Sequence, residues 1–314
     1  MSKDSLAFVF PGQGSQKIGM LAEMAAEYPV VQATFSEASE VLGYDLWGRV
    51  QNGEQEAINQ TECTQPLLLT ASIAVWRVWL EKEGAKPAVL AGHSLGEWSA
   101  LVAAGVLAFK DAVKLVQLRG KFMQEAVPAG VGAMAAIIGL GDEEIKLACA
   151  ESAQGEVVSA VNFNSPGQVV IAGEAAAVGR AIDACKAAGA KRALPLPVSA
   201  PFHTSLMKPA ADRLAEYISA TEFNKPSIPV VHNVNACTSN DPVAIRELMI
   251  EQIYSPVLWV DCVKSMAQKG VTKTVECGPG KVLSGLSKRI DKALVGMATE
   301  SPADLSKALE DVCA

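Results

Sequence analysis

Histidine is scarce in this chain: three occur in 314 residues. Imidazole chemistry is therefore confined to His93, His203 and His232. No apolar stretch approaches the roughly 18 residues that a membrane span needs. The N-terminal segment holds Asp4 and one short apolar run, Leu6 to Phe10, too brief for a signal peptide. A cytoplasmic protein with no membrane partner is expected. Basic runs are missing too, and 27 Lys and Arg stand against 34 Asp and Glu for a net charge of -7. That balance argues against nucleic acid as a partner. The 7 cysteines are odd in number and scattered, with no C-x-x-C pair. They predict reduced thiols rather than disulfides, and no metal site.

What is present in quantity is apolar: 50% of the residues. A chain of this length and composition builds a large core with room for an inserted or appended lobe. Within it, Val89-Leu90-Ala91-Gly92-His93-Ser94-Leu95-Gly96-Glu97 carries an apolar strand into a helix through a serine flanked by glycines. This is the pattern of a nucleophile elbow. Flanking glycines leave room for the sharp turn, and the helix N-terminus aims N–H groups and a positive dipole end at the serine oxygen. The competing reading is a structural serine capping a helix.

Around the elbow the chain alternates. Leu6 to Phe10 reads as a strand that runs into Pro11-Gly12-Gln13-Gly14-Ser15-Gln16, and the segments up to about 83 read as helices separated by Gly and Pro breaks. From Lys110 to Ala126 a helix is predicted, with Ala112, Val113, Val116, Met123 and Val127 on one stripe and Arg119 among them. Between about 131 and 198 the pattern is strand (132–140), helix (142–152), strands (157–162 and 168–172), helix (175–188) and strand (192–198). That βαββαβ order is the ferredoxin-like one, a compact unit suited to insertion. It divides the chain into a main domain, 1–128 with 199–314, and a subdomain, 129–198. Pro229 to Val234 and Lys273 to Cys277 read as further strands, able to extend the first sheet.

A serine nucleophile needs a base. His93, next to Ser94, points away at such a turn and is expected to pack beneath it. His203 lies in the loop Ser199-Ala200-Pro201-Phe202-His203-Thr204 at the lobe boundary, where clefts form. A plain surface-loop histidine is the alternative there. His232, in an apolar strand, reads as a satisfied core histidine. Between serine and histidine the acids Asp111, Asp142 and Asp183 each read as helix-start or exposed residues, none placed for a triad, and a backbone carbonyl is an alternative acceptor for the imidazole. Two N–H groups must face the oxyanion: Leu95 supplies one, and the glycine turn can bring up that of Gln13. No phosphate-loop pattern is completed at Gly12-x-Gly14. Arg119 on an inward stripe requires an anion. It binds a substrate carboxylate, pairs with a carboxylate such as Glu97, or snorkels to solvent.

Together these segments resemble the malonyl-CoA:acyl carrier protein transacylases of type II fatty acid synthesis. The resemblance rests on Pro11 to Gln16, Thr64-Gln65-Pro66, Gly92 to Glu97, Arg119-Gly120, Asn164 to Gln168, Phe202-His203 and Gln252-x-x-x-Pro256-Val257-x-Trp259, in order along the whole chain. It implies an α/β fold: an α/β-hydrolase-like main domain with a mostly parallel sheet, interrupted by a ferredoxin-like βαββαβ subdomain. It also implies Ser94 as nucleophile, His203 as general acid/base oriented by the Gln252 carbonyl, Arg119 as partner of the malonyl carboxylate, and Gln13 and Leu95 as oxyanion donors. Malonyl-CoA would be substrate and acyl carrier protein the acceptor, with coenzyme A the product, no cofactor, and a monomer the expected state. Trp98 stands where many relatives have tyrosine, and Phe202 matches malonyl-selective members. An acidic carrier protein calls for a basic docking face, for which Lys281, Lys288 and Arg289 are candidates, or else those residues form a solvated helix face. A serine esterase or thioesterase, an acyltransferase of polyketide synthesis and a non-enzymatic scaffold are the competing functions.

Overall fold

The computed structural model describes residues 5–198 and 200–313. Its strands are β1 (Ser5–Phe10), β2 (Val89–Gly92), β3 (Gly132–Ile138), β4 (Val158–Ser165), β5 (Gln168–Glu174), β6 (Arg192–Pro195), β7 (Val230–Val231), β8 (Val271–Glu276) and β9 (Val295–Ala298). Five of them form a parallel sheet in the order β7-β2-β1-β8-β9. The other four form an antiparallel sheet, β4-β5-β3-β6.

Strands β1 and β2 are apolar on both faces because both faces are covered. Leu6, Phe8 and Phe10 of β1 enter one core, and Ala7 and Val9 enter the other. The first core receives the long helix Thr61–Glu81, where Trp76 and Trp79 meet the Phe8 ring edge-on at 5.2 and 4.9 Å. The second receives helices Trp259–Gln268 and Val282–Ile290. In the antiparallel sheet, Ala135 and Ile137 of β3 turn toward helices Asp142–Ala153 and Ala175–Ala187. Met134, Val161 and Val170 face the main core instead. Strand order and helix placement are those of a ferredoxin-like unit, and the chain is α/β as expected.

The antiparallel sheet is tied to the main domain along the outer side of β4. Val257 donates its N–H to the carbonyl of Val161 at 2.7 Å and accepts that of Phe163 at 3.0 Å, so a main-chain segment after residue 252 pairs with β4.

Three expectations need correction. Pro66 does not break a helix: it lies inside Thr61–Glu81, whose 21 residues are mostly buried. An interior proline costs roughly 3 kcal/mol, and each buried leucine of the run Leu67 to Leu69 returns about 1.5–3 kcal/mol. The segment from Pro229 is a strand only at Val230–Val231, because the backbone of His232 turns to pair with Cys237. Strand β6 ends at Pro195 rather than 198, since Pro195 and Pro197 have no N–H to continue a ladder. The lobe boundary expected at 198/199 touches Ser199, which lies outside the described residues.

Candidate active site

Strand β2 stops at Gly92 and the helix Leu95–Ala103 starts at once, with Ser94 between them at φ 52°, ψ -105°. A positive φ in a non-glycine residue is strained and persists only where its surroundings impose it. Here they do. A methyl group at Gly92 would strike the backbone of Gly96, and one at Gly96 would strike the carbonyl of Phe10. Asn233 locks the turn from the side: its Oδ1 accepts the Ser94 N–H at 2.7 Å and its Nδ2 donates to the Gly92 carbonyl at 2.8 Å.

The hydroxyl thus presented opens into a cleft of about 530 Å³ between the two sheets. Gln13, Leu95 and Arg119 line it from the main domain, and Met134 and Asn162 from the antiparallel sheet. Ser94 Oγ lies 2.8 Å from Nε2 of His203. The other ring nitrogen, Nδ1, is 2.9 Å from the main-chain oxygen of Gln252. A carbonyl only accepts, so Nδ1 carries the proton and the Nε2 lone pair faces the serine. Burial pushes the His203 pKa down to about 3, with the nearby Arg119 charge adding to it and the Gln252 carbonyl opposing. The free site therefore holds a neutral imidazole at pH 7.

Arg119 is 1% exposed and reaches the same hydroxyl. Nη1 donates to Gln65 Oε1 at 2.8 Å, and Nη2 donates to Gln252 Oε1 at 3.1 Å and to Ser94 Oγ at 3.2 Å. Burial lowers its pKa to about 10, and the Glu97 charge works against that shift, so the group stays cationic at neutral pH. Of the three readings of Arg119, snorkelling fails outright. Its hydrogen bonds go to amide and hydroxyl oxygens, and Glu97 is reached only through Gln252.

Gln13 and Leu95 both line the cleft together with Ser94. Leu95 opens its helix, where the first N–H groups have no intrahelical acceptor. The turn carrying Gln13 is shaped by Gln16, whose Oε1 accepts the Gly14 N–H at 2.8 Å. His93 packs its ring beside Trp259, with Nε2 2.7 Å from Asn164 Oδ1, and burial lowers its pKa. It is not the base. His232 is a core residue, its Nδ1 2.8 Å from Glu97 Oε1, while its Nε2 has no partner among the described residues. Asp111 and Asp142 start helices and Asp183 pairs loosely with Lys186 on the surface, so none of the three approaches His203.

Sequence reasoning named Glu97 only as a possible partner of Arg119, and missed the side chains of Gln65, Asn233 and Gln252 and the layer they form with it behind these groups. Glu97 is fully buried on the elbow helix, four residues before the buried Leu101. That is the same signal, a charge on an inward stripe, that picked out Arg119.

The acyl transferase domain family matches residues 7–299. This chain is 61% identical over 303 residues to the malonyl CoA-acyl carrier protein transacylase of Salmonella typhimurium, covering 96% of this chain and 98% of that one. The chain belongs to the malonyl-CoA:acyl carrier protein transacylases. Solved structures of this transacylase family overlay closely. A crystal structure of an acyl carrier protein S-malonyltransferase from Vibrio cholerae has a TM-score of 0.96 at 62% identity, covering 97% of this chain and all 100% of that one. A malonyl-transacylase in complex with its type II polyketide acyl carrier protein has a TM-score of 0.97 at 58% identity, with 98% and 100% covered. Against that transacylase background Trp98 is wholly buried behind the elbow and Phe202 lines the cleft beside His203.

Proposed function

We propose that the chain transfers a malonyl group from malonyl-CoA to the phosphopantetheine thiol of acyl carrier protein, in two displacements through malonyl-Ser94, to supply fatty acid biosynthesis. One observation carries the reading: Ser94 Oγ touches both the lone pair of His203 Nε2 at 2.8 Å and the buried cation of Arg119 at 3.2 Å. A hydrolase needs the first contact only. The second places a fixed guanidinium where a carboxylate on the acyl chain would end.

His203 Nε2 takes the hydroxyl proton as Oγ forms a bond to the thioester carbon. The carbonyl oxygen becomes an oxyanion between the N–H groups of Gln13 and Leu95. The C–S bond then breaks, the Nε2 proton passes to the departing thiolate, and coenzyme A leaves. The carrier-protein thiol enters the same cleft, gives its proton to His203, and attacks the serine ester, so that serine regains its proton at the end. Thioester replaces thioester, which makes the exchange reversible.

A base held near pKa 3 is a poor one, and the substrate relieves part of that. Burial is the main cause and stays, while a malonyl carboxylate against Arg119 offsets the smaller part due to the guanidinium charge. Acetyl-CoA brings no such charge. Acyl selectivity therefore acts twice, through binding and through the base.

The reading takes 1–128 with 199–314 as the catalytic domain and 129–198 as the inserted lobe, supported by the antiparallel strands all falling between 132 and 195. It also takes a monomer acting in the cytoplasm, supported by a site composed within one chain and by six free cysteines among the described residues. No helix among the described residues is long and apolar enough to cross a membrane. The test is intact-mass detection of the acyl-enzyme after exposure to malonyl-, methylmalonyl- and acetyl-CoA, with the modified residue mapped by fragmentation. Malonyl carried by Ser94 and passed on to carrier protein is the expected result. Rapid release of free malonate without acceptor would mark a hydrolase.

A further inference from the structure

Behind the reacting groups lies a buried carboxylate that the mechanism above does not use. Glu97 and Gln252 are both fully buried. The Glu97 carboxylate accepts three hydrogen bonds: from His232 Nδ1 at 2.8 Å, from the Asn233 N–H at 3.1 Å and from Gln252 Nε2 at 2.6 Å. Gln252 Nε2 has a second hydrogen, which goes to the Ser94 carbonyl at 3.0 Å. Both amide hydrogens of Gln252 are thus taken by acceptors on one side. Its Oε1 is left facing Arg119 Nη2, the contact at 3.1 Å.

A carboxylate cannot donate, so Glu97 forces the amide end of Gln252 toward itself. We propose that Glu97 is a positioning residue for acyl selection: it fixes the orientation of the Gln252 amide, and through that amide aims the Arg119 guanidinium at the malonyl carboxylate. This deepens the malonyl reading and rests on it. Without the carboxylate the Ser94 carbonyl alone holds the Gln252 NH2, and the amide loses one of the two acceptors that keep its oxygen toward Arg119. The same residue leaves the base alone, since His203 takes its bond from the main-chain oxygen of Gln252 rather than the side chain. A carboxylate kept in a dry interior is costly unless its partners are exact in placement. Three donors and a nearby guanidinium charge supply that compensation here.

The variants are Glu97→Gln, Gln252→Met and the pair together. Each is assayed with malonyl-CoA, with acetyl-CoA, and with a neutral sulfonyl fluoride that reacts at serine and carries no carboxylate. In Glu97→Gln the KM for malonyl-CoA should rise roughly tenfold or more, the loss of one charge-assisted hydrogen bond. Acetyl-CoA kinetics and the pH midpoint of sulfonylation should change little. The double variant should show no further rise in malonyl KM over Gln252→Met, because one relay cannot be broken twice. Additive effects overturn the proposal. So does a parallel loss of sulfonylation, acetyl transfer and malonyl transfer, which a purely structural Glu97 would give. If Glu97→Gln does not fold, Gln252→Met decides alone, and an unchanged malonyl KM in it defeats the relay. A wild-type chain that sulfonylates yet accepts no malonyl group is a separate outcome, and it defeats the functional reading together with the relay built on it.

Discussion

The side chain of Asn233 accepts the backbone N–H of Ser94 at 2.7 Å across 139 positions of chain. With its second bond, to the Gly92 carbonyl, it closes a ring around the strained turn. Asn233→Ala would leave one buried donor and one buried acceptor unpaired, at about 1–3 kcal/mol each. A loss of roughly 2–6 kcal/mol in urea denaturation is expected, with slower acylation of Ser94 by malonyl-CoA. Wild-type stability with full acylation would refute the role.

The depressed basicity of His203 sets a pH profile. Its pKa near 3 in the folded chain lies below the ordinary histidine value of about 6.5. Above the folded value the imidazole is neutral, so sulfonylation of Ser94 should fall less than about twofold between pH 7 and 5.5, where an ordinary histidine loses about tenfold. Stability runs the other way. In the window between the two pKa values the unfolded chain binds the extra proton, so unfolding free energy rises with pH there and levels off above it. His93, also depressed by burial, adds to that slope. Denaturation at pH 5 and 7 measures it, and His203→Phe should flatten it.

The proposed role of Arg119 is to separate substrates. Arg119→Ala should cut malonyl transfer by roughly 10⁴ and acetyl transfer far less, because sites built around a substrate polar group discriminate on that scale. Arg119→Lys should recover little, since a single ammonium cannot hold Gln65, Gln252 and a carboxylate together. Equal losses for both acyl groups would remove Arg119 from selection.

Lys281, Lys288 and Arg289 are exposed on and beside the helix Val282–Ile290, and Arg289 Nη1 donates to Gln168 Oε1 at 2.9 Å on the antiparallel sheet. Charge reversal at Lys288 with Arg289 should raise KM for carrier protein several-fold and leave that for malonyl-CoA unchanged. Steady-state kinetics with each substrate varied in turn reads this directly. Unchanged carrier kinetics would assign the three residues to a solvated face.

Local pattern made the elbow legible: Gly92, Ser94 and Gly96 are neighbours, and their conformations follow from what short-range packing permits. The βαββαβ lobe was legible for the same reason, its strand and helix periods changing at turn residues. His203 emerged because only three imidazoles exist, and Arg119 because its position contradicts its stripe. Glu97 itself carried a signal on its stripe, but its partners were not legible. Its contacts to His232 and Gln252 span 135 and 155 positions, and no periodicity relates them. Pro66 misled because burial outweighed its backbone cost, and Pro229 to Val234 misled because His232 and Asn233 leave the ladder to serve the elbow.

The pairing of Val257 with Val161 and Phe163 acts as the spine of a book. It ties the antiparallel sheet to the main domain on that side of the cleft, so coenzyme A and carrier protein, if both reach Ser94 through that cleft, must occupy it in turn.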